Sequence, residues 1–207
     1  MRKTHLESLV GPDEIGRIPE FLDFALDPLL LSAAAAYLGE LPMLAAVDFW
    51  HSRTAAGDWQ TSQLYHRDLD DERQLKAFLF VSDVDEGAGP LTIVPADASE
   101  RIGRTLGYRP ASGNFRITDD EIRPLLAAGE ERALTGPRGT MVLVDTSRVL
   151  HFGSRVITRD RYVVVVQYLT PTNYMRNPFF GAEPWPYAHL SPDRAAPLDR
   201  AVLGRPV

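Results

Sequence analysis

His66-Arg67-Asp68 is the stretch of this chain with the clearest capacity for chemistry. Residues two apart on an extended strand point to one face, so the His66 imidazole and the Asp68 carboxylate can converge on a single point, as two metal ligands must. A third ligand has to come from elsewhere. The best placed is His151, which follows one apolar run, 139–145, and precedes another, 162–169. Two neutral imidazoles and one carboxylate on one side of an ion suit ferrous iron and leave the opposite positions open for substrate and O2. Taken singly these residues are common: His-x-Asp arises often by chance, and a lone histidine between Leu150 and Phe152 is usually a hydrogen-bonded core residue. What favours the pair is that Leu64, His66 and Asp68 share a strand face that begins apolar and so points inward.

An arginine extends the constellation. Arg161 opens the β-branched run 163–166, and a guanidinium directed into a barrel from the mouth of an apolar strand is costly unless it meets an anion. A dicarboxylate cosubstrate would supply that anion, one end held bidentately by Arg161 and the other chelating iron. Arg155 and Arg159 lie in the turn before the strand and are expected to be solvated. His5, His51 and His189 lack a carboxylate at strand spacing and are expected at the surface or in the tail, with Asp70, Asp71 and Glu72 in a solvated turn. Trp59, Trp185 and Tyr187 are expected to pack rather than to line a pocket.

The elements that must position these residues are mostly strands. Residues 12–39 read as helical, from a start at Pro12-Asp13-Glu14 to a stop at Gly39. After Pro42, short apolar runs at 44–50, 64–66, 75–84 and 91–94 alternate with turn-rich stretches and read as strands. Residues 99–131 are polar and read as an excursion holding one short helix, announced by the Thr118 and Glu121 capping box and interrupted by Pro124. Strands resume at 139–145, at the approach to His151 and at 162–169. Many short strands with helices mainly at the start predict a mainly β fold, a sandwich or jelly roll with N-terminal helical cover, in which ligands distant in sequence can meet.

Composition sets the outer limits. A chain of 207 residues with 44% hydrophobic content buries one sizeable core and fits one domain, 1–207, with cover at 12–39, core at 44–170 and a packing tail at 171–207. The net charge of −6 and pI near 5.4 argue against nucleic acid and anionic membrane as partners and leave a small molecule as the expected one. Cysteine is absent, which excludes disulfides and thiolate metal sites. Acidic and proline-containing sequence follows the first five residues, and no run of about 18 apolar residues occurs, so a cytoplasmic location is expected. The sequence sets no oligomeric state.

Seven segments form an ordered series: Tyr37-Leu38-Gly39, Ser62-Gln63-Leu64-Tyr65-His66-Arg67-Asp68, Leu75-Lys76-Ala77-Phe78, Ser82-Asp83-Val84-Asp85, Gly89-Pro90-Leu91-Thr92-Ile93-Val94-Pro95, Gly139-Thr140 and His151-Phe152-Gly153-Ser154. Across residues 37–170 the chain resembles the phytanoyl-CoA dioxygenase family of iron- and 2-oxoglutarate-dependent oxygenases. The resemblance implies a double-stranded β-helix (jelly roll) with His66, Asp68 and His151 as the Fe(II) ligands and Arg161 on the distal carboxylate of 2-oxoglutarate. It places Phe78, on an inner face with Lys76 and Phe80, against the cosubstrate, and Gln63 in the pocket. The activity it implies is hydroxylation of a small molecule by O2 with release of succinate and CO2. The retained Asp68 argues against halogenating relatives, where a small residue vacates that position for halide. After Pro95 the family's glycine-serine-histidine turn is replaced by Ala96-Asp97-Ala98, which alters a loop near the entrance. The competing readings are a catalytically silent metal-binding jelly roll and a cupin-like metalloenzyme with the same three ligands and no use for Arg161.

Overall fold

Proline placement governs how the N-terminal region folds. The structure, a computed structural model, describes residues 5–54, 58–109, 116–156, 158–174 and 185–204. The region expected as helical cover is three helices, α1 (Pro12–Arg17), α2 (Pro19–Ala25) and α3 (Pro28–Leu38). Proline lacks an N–H and fits only the first turn, so Pro19 and Pro28 each begin a helix and stop the preceding one from continuing. The Asp27 carboxylate caps α3 by accepting from the backbone N–H of Leu29 and Leu30. Gly39 closes α3 at φ +84°, a left-handed conformation that costs a residue with a side chain more.

Two antiparallel sheets follow. Strands β1 (Leu6–Ser8), β2 (Met43–Ser52), β3 (Gln74–Phe80), β6 (Met141–Val144) and β8 (Arg161–Leu169) make a five-stranded sheet in the order β1-β2-β8-β3-β6. Strands β4 (Leu91–Ile93), β5 (Arg132–Leu134) and β7 (His151–Phe152) make a three-stranded sheet in the order β5-β4-β7. The result is mainly antiparallel β with several helices, a jelly-roll-like arrangement.

Strand β8 is central and buried on both sides. Val164, Val166 and Tyr168 pack beneath the helices with Leu22, Leu30, Leu31 and Leu38, while Val163 and Val165 face the other way with Phe80. The period-2 alternation of a strand turns a continuous Val163–Val166 run into two apolar faces, and each buried valine contributes about 1.5–3 kcal/mol.

The described part of the excursion holds two helices where one was expected. Helix α4 (Ala96–Thr105) starts directly after Pro95, and α5 (Asp119–Ile122) opens on the expected capping box, with Thr118 N–H donating to Glu121 Oε2 at 2.8 Å. Pro124 tightens the continuation of α5 into a single 3-10 turn. Ile102 and Ile122 form a second core with Tyr65, Leu150 and Phe152. After β8, α6 (Pro171–Tyr174) is short, and α7 (Pro197–Leu203) places Val202 and Leu203 in the large core. The Tyr187 hydroxyl accepts from Val47 N–H at 2.8 Å, fastening the tail to β2. Residues 175–184 of the expected packing tail, with Phe179 and Phe180, lie outside the described residues.

One expected strand is absent. Residues 61–63 form a 3-10 turn, and among the described residues the segment that follows makes two isolated bridges, Tyr65 with Ile117 and His66 with His151.

Candidate metal centre

His66, Asp68 and His151 come together as the sequence suggested, with one ligand-capable atom of each lying within 4.8 Å of the others. His66 N–H donates to His151 O at 3.0 Å, and His151 N–H returns a bond to His66 O at 2.9 Å. Asp68 N–H donates to Thr146 O at 2.9 Å, which holds the segment beyond the bridge in place. Three residues from two distant stretches are therefore set by backbone pairing. The two imidazole centroids are 4.3 Å apart.

The ring nitrogens are oriented for ligation. His66 Nδ1 lies 2.8 Å from Leu64 O, and His151 Nδ1 lies 3.0 Å from Val149 O. A carbonyl can only accept, so each Nδ1 carries the proton and each Nε2 keeps its lone pair toward the site. Burial pushes both imidazoles below their ordinary pKa, His66 further because His151 stands beside it. They are neutral at neutral pH, as metal ligands must be. Burial would raise Asp68, but Lys76 and the two histidines outweigh it and hold the carboxyl well below the usual range.

Lys76 is the polar neighbour that sequence reasoning placed on the inner face without anticipating its partner. Its Nζ lies 2.7 Å from Asp68 Oδ2 and 3.9 Å from Asp70 Oδ2. Burial works against its charge, but the two carboxylates more than compensate and raise its pKa.

The triad opens onto a cavity of about 180 Å³ whose lining also includes Trp50, Phe78, Leu91, Val163 and Val165. Arg161 points into it from the start of β8. The guanidinium is buried, at 8% exposure, and Nη2 donates to Ser52 Oγ at 3.2 Å and Ser154 Oγ at 3.0 Å. Nε has no hydrogen-bond partner, and no carboxylate of the described residues forms an ion pair with Arg161. Burial alone pulls its pKa down to about 10. A buried arginine met only by hydroxyls is a cation waiting for an anion, because an uncompensated buried charge is among the costliest features a fold can carry.

Phe78 lines the cavity. Gln63 does not. It lies buried behind the wall, with Nε2 donating to Ser154 O at 2.9 Å, so it holds the loop that presents Ser154 to Arg161. Ser52 and Trp50 were not singled out from the sequence, although period-2 alternation along Asp48-Phe49-Trp50-His51-Ser52 would put both on the inner face with Asp48.

Other expectations are corrected. His5 and His51 are buried, not superficial, because β1 pairs along the edge of β2; His51 Nε2 lies 2.7 Å from Asp160 Oδ2 and its ring stacks on Tyr162. Arg155 is not solvated: it makes two bonds to Asp119, at 3.1 and 2.7 Å, and lies 3.5 Å over the Phe152 ring. Asp71 is buried and accepts from both Thr170 N–H and Thr170 Oγ1 at 2.8 Å. Arg159 meets Asp85 in an exposed pair, as expected of a turn arginine.

No family model matches the sequence, and no curated protein does. Solved structures match by shape. EctD from S. alaskensis with 2-oxoglutarate and 5-hydroxyectoine superposes with a TM-score of 0.55 at 19% identity, over 82% of this chain and 59% of EctD. The epimerase SnoN, in complex with Fe3+, alpha ketoglutarate and nogalamycin RO, gives 0.51 at 18% identity, over 81% of this chain and 64% of SnoN. HygX from Streptomyces hygroscopicus, with nickel and 2-oxoglutarate bound, gives 0.50 at 15%, over 81% and 70%. The shared property is the fold. This chain spans less than two thirds of the length of EctD and of SnoN.

The donor set tests well against a metal of the ferrous kind. Two nitrogen donors and one carboxylate, with no sulfur ligand, converge at the rim of an open cavity, which is the facial three-ligand pattern of non-haem iron sites. Arg161, which lines the same cavity with its Nε unpartnered, tests equally well against a dianion.

Proposed function

We propose that this chain is an Fe(II)- and 2-oxoglutarate-dependent oxygenase of the phytanoyl-CoA dioxygenase type. In this reading it is built on a double-stranded β-helix under N-terminal helical cover and hydroxylates a small molecule. The observation that carries the reading is the buried Arg161, without an acidic partner among the described residues, facing the same cavity as His66, Asp68 and His151. A metal site alone fits several enzyme classes. A metal site that shares its cavity with an unpaired cation fits one that also binds a dicarboxylate. The fold shared with EctD, SnoN and HygX, all three crystallised with 2-oxoglutarate or alpha ketoglutarate, supports the same choice.

In this role His66 and His151 offer Nε2 lone pairs held in place by the Leu64 and Val149 carbonyls, and Asp68 offers an ionised oxygen. Arg161, with the Ser52 and Ser154 hydroxyls, binds the distal carboxylate of 2-oxoglutarate. Trp50, Phe78, Val163 and Val165 exclude water from the space between, which strengthens both ionic contacts. Iron and 2-oxoglutarate, when bound, supply O2 activation coupled to oxidative decarboxylation, so that succinate and CO2 leave and one oxygen atom reaches a C–H bond of the substrate. The protein's share is to place that bond, through side chains of the cavity mouth, within reach of the metal.

Anaerobic addition of Fe(II) and then 2-oxoglutarate tests the reading. A weak visible charge-transfer band is expected for the wild type, together with succinate formation on admitting O2. A folded, iron-loaded protein that shows no band and no succinate rejects the reading.

A further inference from the structure

Lys76 sits mid-strand in β3, opposite Gln167 of β8 and Val144 of β6, with its side chain in the cavity. An ammonium that already neutralises a buried carboxylate is unusual beside a divalent-metal site, because it repels the metal from the ligand it shares. The position of Asp68 shows what it can achieve. Oδ1 lies 3.7 Å from His66 Nε2 and Oδ2 lies 3.9 Å from His151 Nε2, so neither oxygen is favoured by its distance to the imidazoles. Both face the place where an ion would sit. What separates them is Lys76, whose Nζ is bonded to Oδ2 at 2.7 Å and stands within reach of no other group as closely.

Given the reading of His66, Asp68 and His151 as metal ligands, on which this rests, we propose that Lys76 is a positioning residue that keeps Asp68 a one-oxygen ligand. By occupying Oδ2 it leaves Oδ1 to the metal and keeps one coordination position from being closed by the same carboxylate. A metal held by His66, Asp68 and His151 would keep more positions free for other ligands if Asp68 supplied one oxygen and not two. The same charge lowers the affinity for the metal. Lys76 therefore trades metal affinity for an open site, and it acts through Asp68, to which its Nζ is bonded at 2.7 Å.

The signs of this proposal differ from those of simple damage to the site. Titration calorimetry of the metal-free protein with Co(II), followed by 2-oxoglutarate on the Co(II) form, would compare the wild type with Lys76→Met, which keeps the stem and loses the charge, and Lys76→Arg, which keeps the charge and donors. Lys76→Met should bind Co(II) more tightly, on the order of tenfold, because a like charge near the metal is gone. It should bind 2-oxoglutarate more weakly, on the order of tenfold, because the freed carboxylate chelates. Lys76→Arg should stay near the wild type in both. A Lys76→Met protein that binds Co(II) as the wild type does, or more weakly, overturns the proposal. X-ray absorption of the Co(II)-loaded wild type needs no variant and covers the case in which Lys76→Met does not fold: a carboxylate carbon at the short distance given by a chelating carboxylate overturns the proposal, and its absence supports it. A wild type that takes up no Co(II) overturns the metal reading and with it this inference, whereas normal Co(II) uptake with an indifferent Lys76→Met overturns this inference alone.

Discussion

His66 and His151, 85 positions apart, exchange both backbone hydrogen bonds with each other, at 3.0 and 2.9 Å, outside any strand shared by the two. The pair works as a fastener. The bridge ties the His66 segment to β7, whose His151 also pairs with Ile93 of β4. His66→Ala keeps the backbone bonds and removes one of the three proposed ligands. It is expected to leave the melting temperature of the metal-free protein within a few degrees of the wild type and to abolish the rise in melting temperature that Co(II) or Mn(II) gives the wild type. A thermal-shift series with and without metal checks both halves.

Arg161 is expected to separate cosubstrate binding from metal binding. In Arg161→Met the 2-oxoglutarate dissociation constant should rise by about 30-fold or more, since truncating one partner of a buried charge pair costs about 2–5 kcal/mol. Co(II) affinity should be nearly unchanged. The metal-free variant should be as stable as the wild type or more so, because an uncompensated buried charge has been replaced by an apolar side chain of similar length. Calorimetry and urea unfolding read the two effects independently.

The histidines predict how stability depends on pH. Both have their pKa lowered by burial, with His151 adding to the shift of His66. The unfolded chain takes up their protons near pH 6.5 and the folded chain only at lower pH, so below that point the unfolded state binds more protons. Stability of the metal-free protein is therefore present above pH 6.5 and falls as the pH drops through it, with a slope approaching about 1.4 kcal/mol per pH unit for each histidine. Added divalent metal should steepen the fall, since protons and metal compete for the same nitrogens. Urea melts between pH 5.5 and 7.5 measure it.

Gly89 is expected to tolerate no side chain. Its φ is +66°, and a Cβ there would come within 2.8 Å of the backbone of Arg155 and Val156. The Gly89 carbonyl accepts from Ser154 N–H at 3.1 Å, so the crowded loop is the one that carries Ser154 to Arg161. Gly89→Ala should lower stability by about 2 kcal/mol or more and weaken 2-oxoglutarate binding while Co(II) affinity changes little. Chemical denaturation with the two titrations tests this.

How far the sequence carried the site depended on whether the signal was local. His66 and Asp68 were readable because two residues and one spacing suffice, and β8 because four consecutive β-branched residues can do little else. The strand expected around His66 was wrong, because a bridge to His151 does locally what a ladder would do and leaves the same face-sharing pattern in the sequence. The single helical cover failed at Pro19 and Pro28, where the prolines were visible but an apolar, alanine-rich background hid the breaks. Lys76, Ser52 and Ser154 owe their roles to neighbours 8, 109 and 7 positions away, and no period in the sequence encodes such meetings. His51 and Asp71 looked solvated because their partners, Asp160 and Thr170, are equally remote.

Strand β8 binds the history of the site to that of the core. Its even-numbered residues hold up the helices and its odd-numbered ones form the floor of the cavity. A deletion or insertion of one residue would exchange the two sets, turning Arg161 outward and a valine inward, so length change there is closed to mutation. The rest of the cavity wall is borrowed from elsewhere, from β2 at Asp48 and Trp50 and from the loop bearing Gly153 and Ser154, where a substitution reshapes the cavity without disturbing the packing beneath the helices.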